Sequence, residues 1–211
     1  MHSLSILTQS DGYLSYMHQI NIDGTPFILG IGSETEETDI TIMTFMKLFL
    51  IDVSTPASPK LAASYKVADS SSDATYDPLA FRFTADKKLI IPVSKSTEYS
   101  EVFAVYDVTK DSITQAFEVT HSTTDSDLYC NNEASIRARS FVFQSELTTV
   151  QGNTIITTEL ESGKKISELD LDVDFGYNVC TDYSDYSYHY AYSYAAAEYS
   201  YEDDEVDEVF D

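Results

Sequence analysis

Four acidic side chains lie close together near the start of the chain, where they could bind a hard cation. Glu34, Glu36, Glu37 and Asp39 follow the Gly30-Ile31-Gly32 segment, in which the glycines indicate a turn. Ca²⁺ takes about 6–8 oxygen ligands, and a loop rich in carboxylates can supply several of them. The sequence therefore predicts either a calcium-type loop or a solvated surface insertion at this place.

A second acidic stretch contains Asp69, Asp73 and Asp77. The same two interpretations apply to it, because carboxylates this close can either share a cation or face water separately. We keep both of them open.

Motifs of the common catalytic sites are missing from the sequence. The four histidines do not have the spacing of a zinc site, and no Gly-x-Ser-x-Gly elbow or phosphate-binding loop occurs. We therefore predict no catalytic residue and no cofactor apart from the possible Ca²⁺.

Two cysteines, Cys130 and Cys180, form a candidate disulfide. A bridge between them would fix the beginning of the C-terminal segment to the preceding strands, and export from the cell would favour it. Under cytosolic conditions both would be free thiols. Sequence alone does not decide between these states.

The charge balance excludes two classes of partner. Lys and Arg number 12 against 36 Asp and Glu, which gives a net charge of -24. Such a chain repels a phosphate backbone and an anionic membrane surface. No apolar run approaches the roughly 20 residues of a membrane-spanning helix, and the N-terminus does not resemble a signal peptide. We expect no nucleic acid partner and no membrane span.

The C-terminal segment differs in composition from the rest. Residues 174–211 contain 11 acidic residues and 9 of the 16 tyrosines, but no lysine or arginine. This bias predicts two parts, a folded region over residues 1–174 and an acidic, Tyr-rich low-complexity tail over residues 175–211.

The folded region repeats a pattern of strands. Three segments share a strand that ends in an acidic residue, a polar turn and a second strand: KLFLIDVSTPASPKLAASYKV, EVFAVYDVTKDSITQAFEVTH and NTIITTELESGKKISELDL. Their acids Asp52, Asp107 and Glu159 are 55 and 52 residues apart, and two apolar runs precede each segment. We assign these acids to turns, where a carboxylate accepts backbone N–H groups.

Four short strands per unit at this period are typical of a β-propeller blade. The sequence thus predicts an all-β, propeller-like fold of about three four-stranded antiparallel blades. Propellers have about 4–8 blades, so three leave the ring incomplete. Missing blades or self-association would have to cover the exposed blade faces.

Several stretches also carry a resemblance to a known family. GYLSYMH, LGIGSETEETD, KLFLIDVSTPASPK, ATYDPLAFRF, LIIPV, VFAVYDV and IRARSFVF occur in an order that resembles the secreted proteins with a C-terminal β-propeller domain. The resemblance implies a propeller, export from the cell and a longer parent protein. It implies no reaction. Family members often have a His after the Tyr-Asp pair, where this chain has Pro78.

Taken together, these features favour a non-catalytic, extracellular binding or scaffold module with a protein or polysaccharide ligand. The alternative is a piece of a propeller-type hydrolase or lyase whose active site lies partly outside this chain. Fold alone does not decide between them.

Overall fold

A computed structural model describes residues 12–37, 42–95, 100–121, 137–151 and 154–171. All of these belong to one compact unit, residues 1–124 and 135–173. A second unit, residues 125–134 and 174–211, lies outside the described residues. The candidate bridge between Cys130 and Cys180 and the Tyr-rich tail fall there as well. Within the described part of the chain, no helix is long and apolar enough to cross a membrane.

The first blade is a sheet of four antiparallel strands in chain order: β1 (Tyr13–Ile22), β2 (Thr25–Glu37), β3 (Ile42–Asp52) and β4 (Lys60–Ala68). Asp23 and Gly24 alone connect β1 to β2, with φ of 47° and 79°. A two-residue turn with both residues in the left-handed region favours Asp-Gly and matches the twist of the strands it joins.

In β2 the structure differs from the turn expected at Gly30 and Gly32, because the strand continues through both glycines to Glu37. A Cβ atom on Gly32 would collide with the backbone carbonyl oxygen of Tyr13, and one on Gly30 would collide with the Leu14 side chain. The β1–β2 register shifts between Leu14 and Tyr16 at this point. The glycines therefore allow the close approach of β1, as is common beside a bulge.

The second blade contains β5 (Ser70–Ser71), β6 (Arg82–Phe83), β7 (Lys88–Lys95), β8 (Ser100–Val108) and β9 (Ile113–Thr120). Both short strands, β5 and β6, pair with β7 on the same side, so together they take the place of one first strand. Two 3₁₀ turns, Asp73–Thr75 and Pro78–Ala80, lie between them.

The third blade repeats the order of the first, with β10 (Arg139–Phe143), β11 (Glu146–Gln151), β12 (Thr154–Glu159) and β13 (Lys165–Asp170). Each of its three strand pairs is antiparallel.

Two hydrophobic cores lie between successive blades. Leu29 and Leu48 of blade 1 pack with Ile91 and Ala104 of blade 2, all buried. The opposite face of blade 2 buries Phe103 against Leu147 and other apolar residues of blade 3. Because alternate residues of a strand point to opposite faces, β8 contributes to both cores. The sheets of the described residues do not close into a ring, so the prediction of an all-β fold with three blades of an incomplete propeller is confirmed.

The repeated acids differ in their partners. Asp52 accepts a hydrogen bond from the Ser54 backbone N–H at 2.8 Å, as expected for a turn residue. Asp107 pairs with the Lys88 ammonium at 2.8 Å instead, and Glu159 accepts from the Ser162 hydroxyl at 2.6 Å. On the preceding strand, their neighbours are Phe27, Lys88 and Glu146. Lys88 is the cation among these three, and Asp52 faces Lys60 on the following strand.

Candidate functional site

The acidic residues of the predicted calcium loop lie on a strand and contact lysines. Glu34 is buried, and the ammonium groups of Lys47 and Lys66 both donate hydrogen bonds to its carboxylate. Lys66 also pairs with Glu36 at 2.7 Å. Burial raises the pKa of Glu34, but the hydrogen bonds and charges of the two lysines outweigh burial and lower it overall.

A cation at Glu34 would have to displace two ammonium groups. Across the described ranges, no group of three or more His, Cys, Asp or Glu side chains could hold a metal ion. Glu37 is exposed at the end of β2, and Asp39 lies outside those ranges. The calcium site stays a prediction, and the structure itself gives Glu34 the role of a buried ion-pair acceptor.

The second acidic stretch is divided among three roles. Asp69 has a positive φ of 46° at the turn before β5. Asp73 accepts a hydrogen bond from the Tyr76 hydroxyl at 2.5 Å. Asp77 is buried and caps the second 3₁₀ turn by accepting from the Leu79 backbone N–H at 3.0 Å.

Asp77 also joins blade 2 to blade 3 through arginines. The Arg139 guanidinium lies 2.8 Å from the Asp77 carboxylate, and Arg137 lies 3.6 Å from the same oxygen. Burial raises the pKa of Asp77, but the Leu79 N–H and the two arginines more than offset this and lower it. Asp77 is therefore held as a carboxylate.

The third arginine crosses between the same two blades. Arg82 of β6 donates from Nε to the backbone carbonyl of Ser140 at 2.7 Å. Its guanidinium carbon lies 5.9 Å from the ring centre of Phe141, within the range of a cation–π contact. All three arginines of the 211-residue chain thus lie where the first strands of blades 2 and 3 meet.

Aromatic rings extend this region toward blade 1. Tyr16 and His18 of β1 lie with their ring centres 5.1 and 5.6 Å from the ring of Phe81, which directly precedes Arg82. Tyr76 and Phe141 expose 69% and 53% of their surface. We call the region formed by β1, β6, the two 3₁₀ turns and β10 the first-strand edge.

The first-strand edge offers two kinds of contact to a ligand. Arg137 has 70% of its side chain exposed, so its guanidinium is available to a carboxylate or another oxyanion. The exposed rings of Tyr76 and Phe141 supply flat apolar surface.

Sequence reasoning missed this region. Its signal was the placement of all three arginines, Arg82, Arg137 and Arg139, in two segments of an otherwise acidic chain.

A buried histidine also links blades 2 and 3. His121 follows β9, and its ring nitrogens lie 2.8 Å from the Thr149 hydroxyl and 2.9 Å from that of Thr154. Burial lowers its pKa to about 4, although the nearby Glu168 acts in the opposite direction. His121 therefore remains neutral at physiological pH, and we assign it to the blade interface.

Comparison with known proteins agrees with the fold. The family model described as a β-propeller domain matches residues 9–163, which include all three blades except the end of the last. No curated protein matches the chain.

Proposed function

Because the chain belongs to the β-propeller domain family, we propose that it is a non-catalytic binding module that holds its ligand at the first-strand edge. A propeller arranges its blades around a central channel, and one edge strand of each blade lines that channel. We assign this position to β1, β6 and β10. The ligand would then lie at the mouth of the channel.

The observation that carries this proposal is the gathering of three arginines in a chain with a net charge of -24. Asp77 neutralises only part of their charge, and Arg137 remains exposed. Guanidinium groups suit carboxylates because they present planar, paired donors. A local cationic group in an acidic protein thus favours a ligand with isolated carboxylates.

The exposed rings narrow the class of ligand. Tyr76 and Phe141 can stack on the C–H face of a sugar ring while a guanidinium binds a carboxylate on the same ring. A densely charged polymer would be repelled by the whole protein at long range. We therefore infer a polysaccharide that carries uronic acid units among neutral sugars.

The Asp77 carboxylate is unsuited to acid catalysis. Glycoside hydrolysis needs one carboxyl group whose raised pKa keeps its proton near neutral pH. The pKa of Asp77 is lowered instead, and the hydrogen bond to Asp73 raises the pKa of Tyr76, opposite to the need of a tyrosine base. Both shifts support binding over turnover.

Location and assembly belong to the same proposal. The resemblance to secreted proteins supports an extracellular place, where a polysaccharide ligand would be met. Three blades leave two blade faces without a neighbour in the described part of the chain, so we infer that the module works within a larger ring.

A binding and turnover experiment tests the function. Isothermal titration with a glucuronoxylan oligosaccharide, which carries uronic acid units among neutral sugars, is expected to give binding that Arg137→Gln weakens about 10-fold, equivalent to the loss of one charge-assisted contact. Lys60→Gln is a matched control on the outer strand β4 and should bind like the wild type. The expected titration also leaves the oligosaccharide intact. Cleaved or unsaturated products would contradict the proposal and favour a hydrolase or lyase.

A further inference from the structure

The outer face of blade 3 is built like a face that packs on a following blade. Leu48 in β3 and Phe103 in β8 lie four residues before the repeated acids Asp52 and Asp107, and each is fully buried against the next blade. Ile155 holds the same position in β12, and it is only partly buried. Its face is therefore the third copy of a surface that the chain covers twice.

Apolar side chains surround Ile155 on this face. The strand register places Val150 on one side of it and Leu169 on the other. Phe143 projects from the same side of the sheet, because it alternates with Val142, which packs against blade 2. Leu169 is 57% exposed and Phe143 75% exposed. Large apolar groups this exposed mark an interaction surface.

The outer face of blade 1 offers the matching surface. Phe49 and Ile51 lie at the positions that Ala104 and Tyr106 take in blade 2, where they pack on the preceding blade. Both are already buried within the chain, so the surface open to a second copy is the part beside them. Beside them is an open hollow of about 540 Å³, mainly apolar. Its lining residues are Met17, Gln19, Pro26, Ile28, Val53 and Pro56.

We propose that two copies of this chain join head to tail, blade 3 of each packing on blade 1 of the other. The contact would continue the interface between successive blades that the chain already makes twice. Two copies supply six blades, within the observed range of about 4–8, whereas three copies would supply nine. A two-fold ring also leaves no blade face uncovered. Phe143, near the turn of the first strand, would enter the hollow beside Met17.

Light scattering coupled to size exclusion tests the assembly. The wild-type chain is expected at twice its monomer mass of 23.6 kDa. Phe143→Asp with Leu169→Asp should give monomers, and so should Met17→Asp with Ile28→Asp. Phe143→Leu, the conservative control, should remain dimeric.

Mixing the two monomeric variants gives the decisive result. In a head-to-tail pair one interface would carry both sets of aspartates, but the other would be wild type on both sides. The mixture should therefore recover dimers that neither variant forms alone.

Three results would overturn the proposal. The first is a monomeric wild type, which would mean that other blades cover these faces. The second is a Met17→Asp/Ile28→Asp variant that stays dimeric. The third is a mixture without dimers. If a variant does not fold, the melting temperature of the wild type still tests the proposal. A dimer that is required for stability melts at a higher temperature as the protein concentration rises.

Discussion

The Arg139 guanidinium lies 2.8 Å from the Asp77 carboxylate and so ties the first strand of blade 3 to the 3₁₀ turn of blade 2. Asp77 also caps that turn, so the same carboxylate stabilises the 3₁₀ turn and binds the neighbouring blade. The proposed ligand surface depends on this pair, because it holds Tyr76 and the arginines on one edge.

Removing the arginine should destabilise the blade 2–blade 3 junction. We expect Arg139→Ala to lower the free energy of unfolding by about 1–3 kcal/mol, because it leaves the buried Asp77 carboxylate with the more distant Arg137. Urea denaturation measures the change. Asp77→Asn keeps the capping oxygen, so the double variant should recover part of the loss. A double variant that simply adds both losses would contradict a direct interaction between the two side chains.

His121 should make stability depend on pH. Its pKa is about 4 when folded, below the ordinary value of about 6.5 in the unfolded chain. The unfolded state therefore takes up the proton first as pH falls. Neutral His121 therefore contributes fully to the free energy of unfolding above about pH 6.5. This contribution, at most about 3 kcal/mol, is lost as the pH falls from 6.5 to 4.

Urea melts across this pH window, with His121→Gln and His18→Gln, check the assignment. The first variant should lose most of the slope. His18 is exposed on β1, and its replacement serves as the matched histidine control. A slope that survives in His121→Gln would place the titrating group elsewhere.

Gly32 should not tolerate a side chain. A Cβ atom there would collide with the Tyr13 carbonyl oxygen, so Gly32→Ala should separate β1 from β2 and cost about 1–3 kcal/mol. Gly24→Asn is the control, since nothing lies within 4 Å of its Cβ position and asparagine accepts a positive φ. Equal thermal melting temperatures for the two variants would refute the close approach of β1.

Glu34 should matter as a partner of lysines. Glu34→Gln removes the carboxylate that Lys47 and Lys66 share. Because the buried Lys47 ammonium then loses this negative charge, the free energy of unfolding should fall by about 2–4 kcal/mol. Millimolar Ca²⁺ should not raise the melting temperature of the wild type. A rise that disappears in Glu34→Gln would instead support the calcium site predicted from the sequence.

The strands were predictable because their signal is local. Alternating apolar residues and polar turns repeat along the chain, and each β-hairpin joins neighbours in sequence. The first-strand edge was not, because Arg82 and its acceptor Ser140 are 58 residues apart. The turn predicted at Gly30 and Gly32 was wrong for a related reason. Their role depends on β1, which lies beside them only in the folded sheet.

Arginine side-chain NMR tests the central claim most directly. A chain with three arginines gives three Nε–H signals, and all three belong to the first-strand edge. On titration with the same glucuronoxylan oligosaccharide we expect the Arg137 signal to shift and saturate, with smaller shifts for Arg82 and Arg139. Binding that leaves all three signals in place, or no binding at all, would contradict the account.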